Sequence, residues 1–206
     1  MTGPSGLEIV QLPLGSYQAN CYLVAREGGS EAAVIDPGDA PDLVLAQLAD
    51  RGWKAVGVLV THGHVDHLGG VAAVARDTGV DVWMPSGEAD LLRELPGAPH
   101  APEHLLEGGE TVELAGIEFA VTPVPGHSPA SVAYGADGHL FVGDVLFAGS
   151  VGRTDLTGGD METLLRSIEA LMRAYPPETI VLPGHGPVTT LAVERDSNPF
   201  LGSLRT

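Results

Sequence analysis

The chain is poor in cysteine, in cationic side chains and in long apolar runs, and each shortage closes off a class of protein. Cys21 is the only cysteine. No intrachain disulfide can form, so an oxidising compartment is neither required nor exploited. Flanked by Tyr22, Leu23 and Val24, Cys21 reads as a small buried hydrophobe in a strand rather than a reactive thiol. Only 10 lysines and arginines stand against 27 aspartates and glutamates, a formal charge of −17. That balance argues against a polyanionic partner such as DNA or RNA. Part of the acidity sits in candidate metal-binding carboxylates, which bound cations would offset. No stretch approaches the roughly 20 apolar residues of a membrane span, and the beginning of the chain has neither a basic n-region nor a continuous apolar h-region. A cytoplasmic protein with neither nucleic-acid nor membrane partners is expected.

What is present is an ordinary globular composition, 44% apolar over 206 residues, with no Ser/Gly-rich linker or charge run to divide it. One domain over residues 1–206 is the expectation. Its most informative segment is Thr61-His62-Gly63-His64-Val65-Asp66-His67, directly after the apolar run Ala55-Val56-Gly57-Val58-Leu59-Val60. Imidazole nitrogen and carboxylate oxygen suit zinc, iron or manganese, and the glycine between two histidines lets the backbone bend so that neighbouring side chains converge. Three further apolar runs end on companions of the same chemistry: His127 in Val124-Pro125-Gly126-His127, Asp144 in Phe141-Val142-Gly143-Asp144, and His185 in Val181-Leu182-Pro183-Gly184-His185. Each sits where a strand meets its loop, the place where open α/β folds build sites.

The periodicity predicts strands first: residues 7–10, 21–24 and 32–35, the last running into the turn Asp36-Pro37-Gly38-Asp39. A helix over 41–51 follows, with Asp39 as candidate cap. Residues 68–77 have helical spacing, 80–84 form a short strand and 88–95 a short helix. From Glu110 the pattern changes to hairpins over 111–114, 117–124, 132–134 and 140–142. Asp160 caps a stronger helix with the stripe Leu164, Leu165, Ile168, Leu171, Met172 and Tyr175, and 178–182 returns as the strand carrying His185. An α/β (α+β) protein of two packed sheets with helices outside each is expected. Asp36 and Thr61 are candidates to orient a ligating imidazole, with an Asp-Pro-Gly turn as the plain alternative for Asp36. His100, His104 and His139 read as solvated loop histidines, and Trp83 and Met84 as packing residues.

His62-x-His64-x-Asp66-His67, followed by His127, Asp144 and His185, resembles the metallo-β-lactamase-fold superfamily over nearly the whole chain. The resemblance implies a four-layer αββα sandwich with the site at strand ends between the two sheets. It also implies two divalent metal ions, zinc first and iron or manganese as alternatives. His62, His64 and His127 are then ligands of one metal, Asp66, His67 and His185 of the other, and Asp144 the bridge, with Asp66 and Asp144 the carboxylates at the reacting centre. The segments Gly152-Arg153-Thr154-Asp155, Pro183-Gly184-His185-Gly186-Pro187 and Glu194-Arg195-Asp196-Ser197-Asn198-Pro199 are similar to those of the compact glyoxalase II-like (hydroxyacylglutathione hydrolase-like) group. Read as structure, Arg153 and Asp155 make a salt bridge bracing the loop after Asp144, and the segment from Glu194 to Leu201 is a packed tail.

The activity implied is hydrolysis of a thioester of the S-lactoylglutathione type, a small acyl-thiol, with a metal-bridging hydroxide as nucleophile. Cations roughly 3.5 to 4 Å apart lower the pKa of a shared water toward neutrality and polarise the carbonyl. A thiolate of pKa near ~8.5 leaves without a dedicated acid, whereas an amide nitrogen must be protonated first. Larger glyoxalase II enzymes hold glutathione with basic residues of a C-terminal helical region. The residues after His185 are too few for that region, and with Lys54 the only lysine the sequence shows no obvious cationic pocket for a glutathione carboxylate. The alternatives are a persulfide dioxygenase using a single non-haem iron, similar in its histidine motif and Gly-Arg-Thr-Asp segment, and a lactonase on the same metal pair.

Overall fold

The computed structural model describes residues 6–95 and 100–204. β1 (Leu7–Leu14), β2 (Ala19–Arg26) and β3 (Glu31–Ile35) run as an antiparallel meander. The chain then crosses through α1 (Pro41–Arg51) into β4 (Lys54–Leu59), through α2 (Val65–Leu68) and α3 (Val71–Thr78) into β5 (Val82–Pro85), and through α4 (Ala89–Arg93) to β6 (His104–Leu106). These strands add in parallel, giving a six-stranded sheet in the order β1-β2-β3-β4-β5-β6. β7 (Thr111–Leu114), β8 (Ile117–Pro123), β9 (Val132–Ala136) and β10 (His139–Gly143) form a second antiparallel meander. After the small hairpin of β11 (Leu146–Phe147) and β12 (Ser150–Val151), α5 (Met161–Ala174) returns the chain to β13 (Ile180–Pro183), parallel to β10. β14 (Thr189–Thr190) closes that sheet, and α6 (Leu191–Ser197) follows.

Three apolar clusters separate four layers. Leu23, Val34, Val58 and Met84 pack on Val44 and Leu48 of α1 and Val71 and Val74 of α3. On the opposite face of the same sheet, Tyr22, Ile35 and Leu59 meet Phe119, Tyr134, Phe141 and Leu182 of the second sheet. Beyond that sheet, Leu140, Val142 and Val181 pack under Leu164, Ile168 and Leu171 of α5. The expected αββα sandwich is therefore present. A central strand covered on both faces reads as continuously apolar, as β2 does, while β8 alternates buried and exposed residues because one of its faces lacks a covering layer. Cys21 is buried in β2 as expected.

Local chemistry explains several helix ends. Asp160 caps α5, its Oδ1 accepting from the Thr163 amide at 2.7 Å. Gly52, in the left-handed region, terminates α1. Asp39 is not the cap of that helix: Ala40 holds the capping position at a φ of 44°, and Asp39 Oδ1 accepts only from its neighbour's amide. The helical stretch expected over 68–77 is two helices, α2 and α3, meeting at Gly69 and Gly70, where the backbone passes close to the carbonyls of Gly38 and Pro37. His104 lies in β6 rather than in a loop, its ring stacked on Trp83 at 4.2 Å; part of the loop expected from Pro96 falls outside the described residues. Among the described residues no helix is long and apolar enough to cross a membrane.

Candidate metal centre

β4, β8, β10 and β13 all end on one side of the sandwich, and the loops leaving them carry the histidines and aspartates. The two sheets are tied together at that edge by backbone bonds, Val132 N–H to the Thr61 carbonyl at 2.9 Å and Asn20 N–H to the Gly184 carbonyl at 2.7 Å. Rigid strand ends thus set the loops, and the loops bring all seven sequence-predicted residues together. His62 Nε2 lies 3.1 Å from His64 Nδ1, which lies 2.8 Å from His127 Nε2. On the other side, His185 Nε2 is 3.2 Å from Asp66 Oδ2, and His67 Nε2 is 3.9 Å from the same oxygen. Asp144 stands between the groups, Oδ1 at 3.4 Å from His67 Nε2 and Oδ2 at 3.6 Å from His127 Nε2 and 3.5 Å from His185 Nε2.

Three of the five rings are aimed by the nitrogen they turn away from the centre. The Thr61 hydroxyl donates to Asp36 Oδ2 at 2.6 Å, which leaves its oxygen to accept from His62 Nδ1 at 3.1 Å. His67 Nδ1 donates to the same Asp36 oxygen at 3.0 Å, and His127 Nδ1 to the Arg153 carbonyl at 2.8 Å. In all three the inner nitrogen faces the other donors of the cluster, the usual setting of a metal ligand. Asp36 fulfils both sequence readings, occupying a turn at a φ of 50° while its carboxylate, 3% exposed, orients His67 and Thr61. The Arg153–Asp155 pair forms as expected, a two-pronged exposed bridge at 2.7 Å, and it is the backbone of Arg153 that reaches His127.

Crowding leaves little room for anything but small residues in the gaps. A Cβ on Gly63, between His62 and His64, would collide with Leu91 and Glu88; one on Gly184 would collide with Asp144 and His67. Glu88 is a part of the site that the sequence did not announce. Its side chain is buried, with Oε2 accepting from the Gly63 amide at 2.5 Å and Oε1 from Ser128 Oγ at 2.6 Å and the Ala130 amide at 2.9 Å. One carboxylate therefore clamps the His62–His64 loop to the residue beside His127. No local pattern separates Glu88 from surface acids such as Asp90 and Glu94, since its partners lie 25 to 42 residues away. The packed-tail reading of 194–201 also holds: Glu194 Oε2 accepts from the Gly149 amide at 2.9 Å and Asn198 Nδ2 donates to the Ser150 carbonyl at 2.9 Å, steadying the loop after Asp144.

The electrostatics are those of a site suited to a cation. Burial, then repulsion from His67, pushes the His62 imidazole well below its ordinary range. Burial and the neighbouring His127 lower His64 as well. Asp144, despite burial that favours its neutral form, is held well below the usual carboxylate range by the facing imidazoles of His185 and His67. Asp144 and Asp66 raise the His185 imidazole to about 9. Two buried atoms at the centre, His67 Nε2 and Asp144 Oδ1, have no hydrogen-bond partner. Unpaired buried polar atoms are costly, and these two point where a cation would satisfy them. Three overlapping triads converge tightly enough to share an ion: His62, His64 and His127; His62, His67 and Asp144; Asp66, His67 and His185. The donors are nitrogen and oxygen only, which suits zinc, iron or manganese.

Comparison with known proteins agrees with this geometry. The profile of the Metallo-beta-lactamase superfamily matches residues 14–185. The probable metallo-hydrolase YqgX of Bacillus subtilis is 34% identical, over 94% of this chain and 97% of its own. The hydroxyacylglutathione hydrolase GloC of Haemophilus influenzae is 34% identical, over 96% of this chain and 99% of its own. Among solved structures, the BLEG-1 B3 metallo-beta-lactamase superposes with a TM-score of 0.88 at 37% identity, covering 95% of this chain and 100% of that one. TTHA1623, in a di-iron-bound form, gives 0.80 at 39% over 93% of this chain and 100% of that one. ETHE1 from Myxococcus xanthus gives 0.81 at 29% over 95% of this chain and 85% of that one. Strand-end histidines and aspartates, a four-layer sandwich and this matched length lead to one assignment: the chain belongs to the Metallo-beta-lactamase superfamily and is a metal-dependent hydrolase.

Proposed function

We propose that this metal-dependent hydrolase cleaves a thioester of the S-lactoylglutathione type on a pair of divalent cations. The observation that carries the metal chemistry is the pair of bare buried atoms, His67 Nε2 and Asp144 Oδ1, at the meeting point of two donor sets. His62, His64 and His127 would hold one cation, Asp66, His67 and His185 the other, and the two oxygens of Asp144 would serve both. The thioester part leans on the similarity to GloC, named as a hydroxyacylglutathione hydrolase.

When bound, such a pair acidifies water and polarises a carbonyl. The chain's own residues supply position. Asp36, Thr61 and the Arg153 carbonyl fix three imidazoles in the tautomer that leaves the inner nitrogen free. Asp66, half-buried, lines the cavity of about 410 Å³ over the centre, with Oδ2 turned toward His185 and His67 among the donors that would hold the second cation. The departing thiolate, with a pKa near ~8.5, needs no acid from the protein, which fits the absence of a lysine, cysteine or tyrosine among the ligating residues.

The experiment is thiol release from S-lactoylglutathione and from a lactoyl ester of a small neutral thiol, with zinc-loaded and with chelator-stripped protein. Metal-dependent release from either supports the reading; release from neither overturns it. A second reading, persulfide oxidation on a single iron, leans on the histidine motif and the Gly152-Arg153-Thr154-Asp155 segment, and oxygen consumption by iron-loaded protein given a persulfide would reveal it. A lactone and a β-lactam complete the panel, the latter because of the likeness to BLEG-1.

A further inference from the structure

Ten large apolar side chains are exposed among the described residues, and four of them, Tyr17, Val65, Leu91 and Leu156, ring the metal centre. Tyr17, Val65 and Leu156 line the cavity over the cluster. Leu91 and Leu156 line a second cavity of about 500 Å³, which also touches His64 and Pro129 and so opens directly onto the metal-binding loop. Leu91 comes closer still: its Cδ1 lies against the Cα of Gly63, between two histidines of the cluster. An apolar wall thus begins at the reacting centre and continues outward between α4 and the segment around Leu156. Apolar surface concentrated at one place on a strongly acidic protein marks a binding site rather than chance exposure.

Charge points the same way. Among the residues lining the two cavities, Arg153 is the only one with a permanent positive charge, and both prongs of its guanidinium are taken by Asp155. Asp90 adds a carboxylate to the second cavity. A carrier with two carboxylates, such as glutathione, would meet no free cationic side chain there. The space itself falls within the about 300–1,000 Å³ of pockets that enclose drug-sized ligands, many times what a three-carbon acyl group fills.

We propose that this groove is a subsite for an apolar chain of the substrate, so that the preferred thioesters carry an unbranched alkyl portion of about four carbons or more on one side of the scissile bond. The inference rests on the thioester reading and names the substrate class for it. The reaction adds water across the C–S bond: the acyl carbon gains the hydroxyl, the sulfur leaves as thiolate, and of the two protons of water one ends on the thiol and the other, lost by the new carboxylic acid, goes to solvent at neutral pH.

The test uses metal-loaded protein and two series. One holds N-acetylcysteamine as the thiol and lengthens the acyl group from acetyl to octanoyl; the other holds acetyl and lengthens an alkanethiol. Transfer of a methylene out of water is worth about a fourfold change in affinity when burial is complete. The expected result is therefore a rise in kcat/KM of about two- to fourfold per methylene in one series, with S-lactoylglutathione well below the best member. Leu91→Asn and Leu156→Asn should flatten that rise. A second readout needs no turnover: the S-octyl thioether of N-acetylcysteamine should bind metal-free protein and shift the Leu91 and Leu156 methyl resonances, and the S-ethyl thioether should not. Flat series with S-lactoylglutathione the best substrate, or a rim buried between two copies of this chain, would overturn the apolar subsite and leave the thioester reading standing. Binding of the octyl thioether without cleavage of any thioester would sink the thioester reading and keep the groove.

Discussion

Replacing Glu88 by alanine removes one carboxylate that three donors share, and its cost can be worked from the contacts. The Gly63 and Ala130 amides and the Ser128 hydroxyl lose their acceptor in a part of the protein where Glu88 is only 3% exposed. A buried donor left without a partner costs about 1 to 3 kcal/mol, so three bracket the loss at about 3 to 9 kcal/mol. Water entering from the adjoining cavity re-satisfies some of them, which brings the expectation to about 3 to 5 kcal/mol. For a chain of this size that is a fall in Tm of about 6 to 20 °C. The more telling effect is on metal. Gly63 separates His62 from His64 and Ser128 follows His127, so loosening both should weaken the His62–His64–His127 site by about 10- to 100-fold. The Asp66–His67–His185 site, held by Asp36 instead, should change by less than about threefold. Glu88→Gln should fall between, because it keeps an oxygen for Ser128 and Ala130 but turns an amide N–H toward that of Gly63. Chelator competition with cobalt- or zinc-loaded protein, read site by site, together with thermal denaturation, makes the measurement. A Glu88→Ala protein that is destabilised yet holds both metals as tightly as the parent would refute the clamp and leave Glu88 a structural prop.

Asp144→Ala should lower turnover by about 10³-fold or more and reduce bound metal from two ions to one, since both donor sets lose their shared carboxylate; metal analysis beside kinetics checks this, and a variant with two ions and full rate would refute the assignment. In metal-free protein His185 titrates near 9, above its ordinary value of 6.5, so the stabilisation it draws from Asp144 and Asp66 is complete below about pH 6.5 and disappears as pH rises through about 9. Metal uptake at pH 7 must therefore expel a proton from His185, and calorimetric titration in buffers of different ionisation enthalpy should detect it; uptake without proton release would contradict this. Arg153→Ala should leave metal affinity within about twofold, because the atom that reaches His127 is the backbone carbonyl. His139→Ala, at the start of β10 and at the far end of its strand from Asp144, should leave the rate unchanged, and a large loss would mean the site extends well beyond the strand ends.

Much of this protein can be read along the chain because its chemistry is local in sequence. Four histidine and aspartate ligand candidates fall within six residues, and His127, Asp144 and His185 each follow an apolar strand, so short-range pattern and strand-end position were enough to pick all seven. The longer strands, the Asp160 cap and the stripe of α5 are equally visible, being set by side-chain periodicity and by a hydrogen bond three residues apart, whereas β6, β11, β12 and β14 are too short to show a period. Asp36 was ambiguous for the same reason: an Asp-Pro-Gly turn is local, whereas its bond to His67 spans 31 residues. Misreadings arose where a distant partner overrides local preference. Asp39 looked like a cap, but the backbone turns through Ala40 instead, and the run after Leu68 breaks at two glycines that let α2 and α3 pack against the Gly38 turn. The convergence of these seven side chains, and two sheets with helices outside them, thus follow from residue type and periodicity. The buried Glu88 clamp, the free nitrogens of the oriented imidazoles and the apolar groove beside His64 do not, because each is made of groups from separate strands and loops that meet only when the two sheets pack face to face.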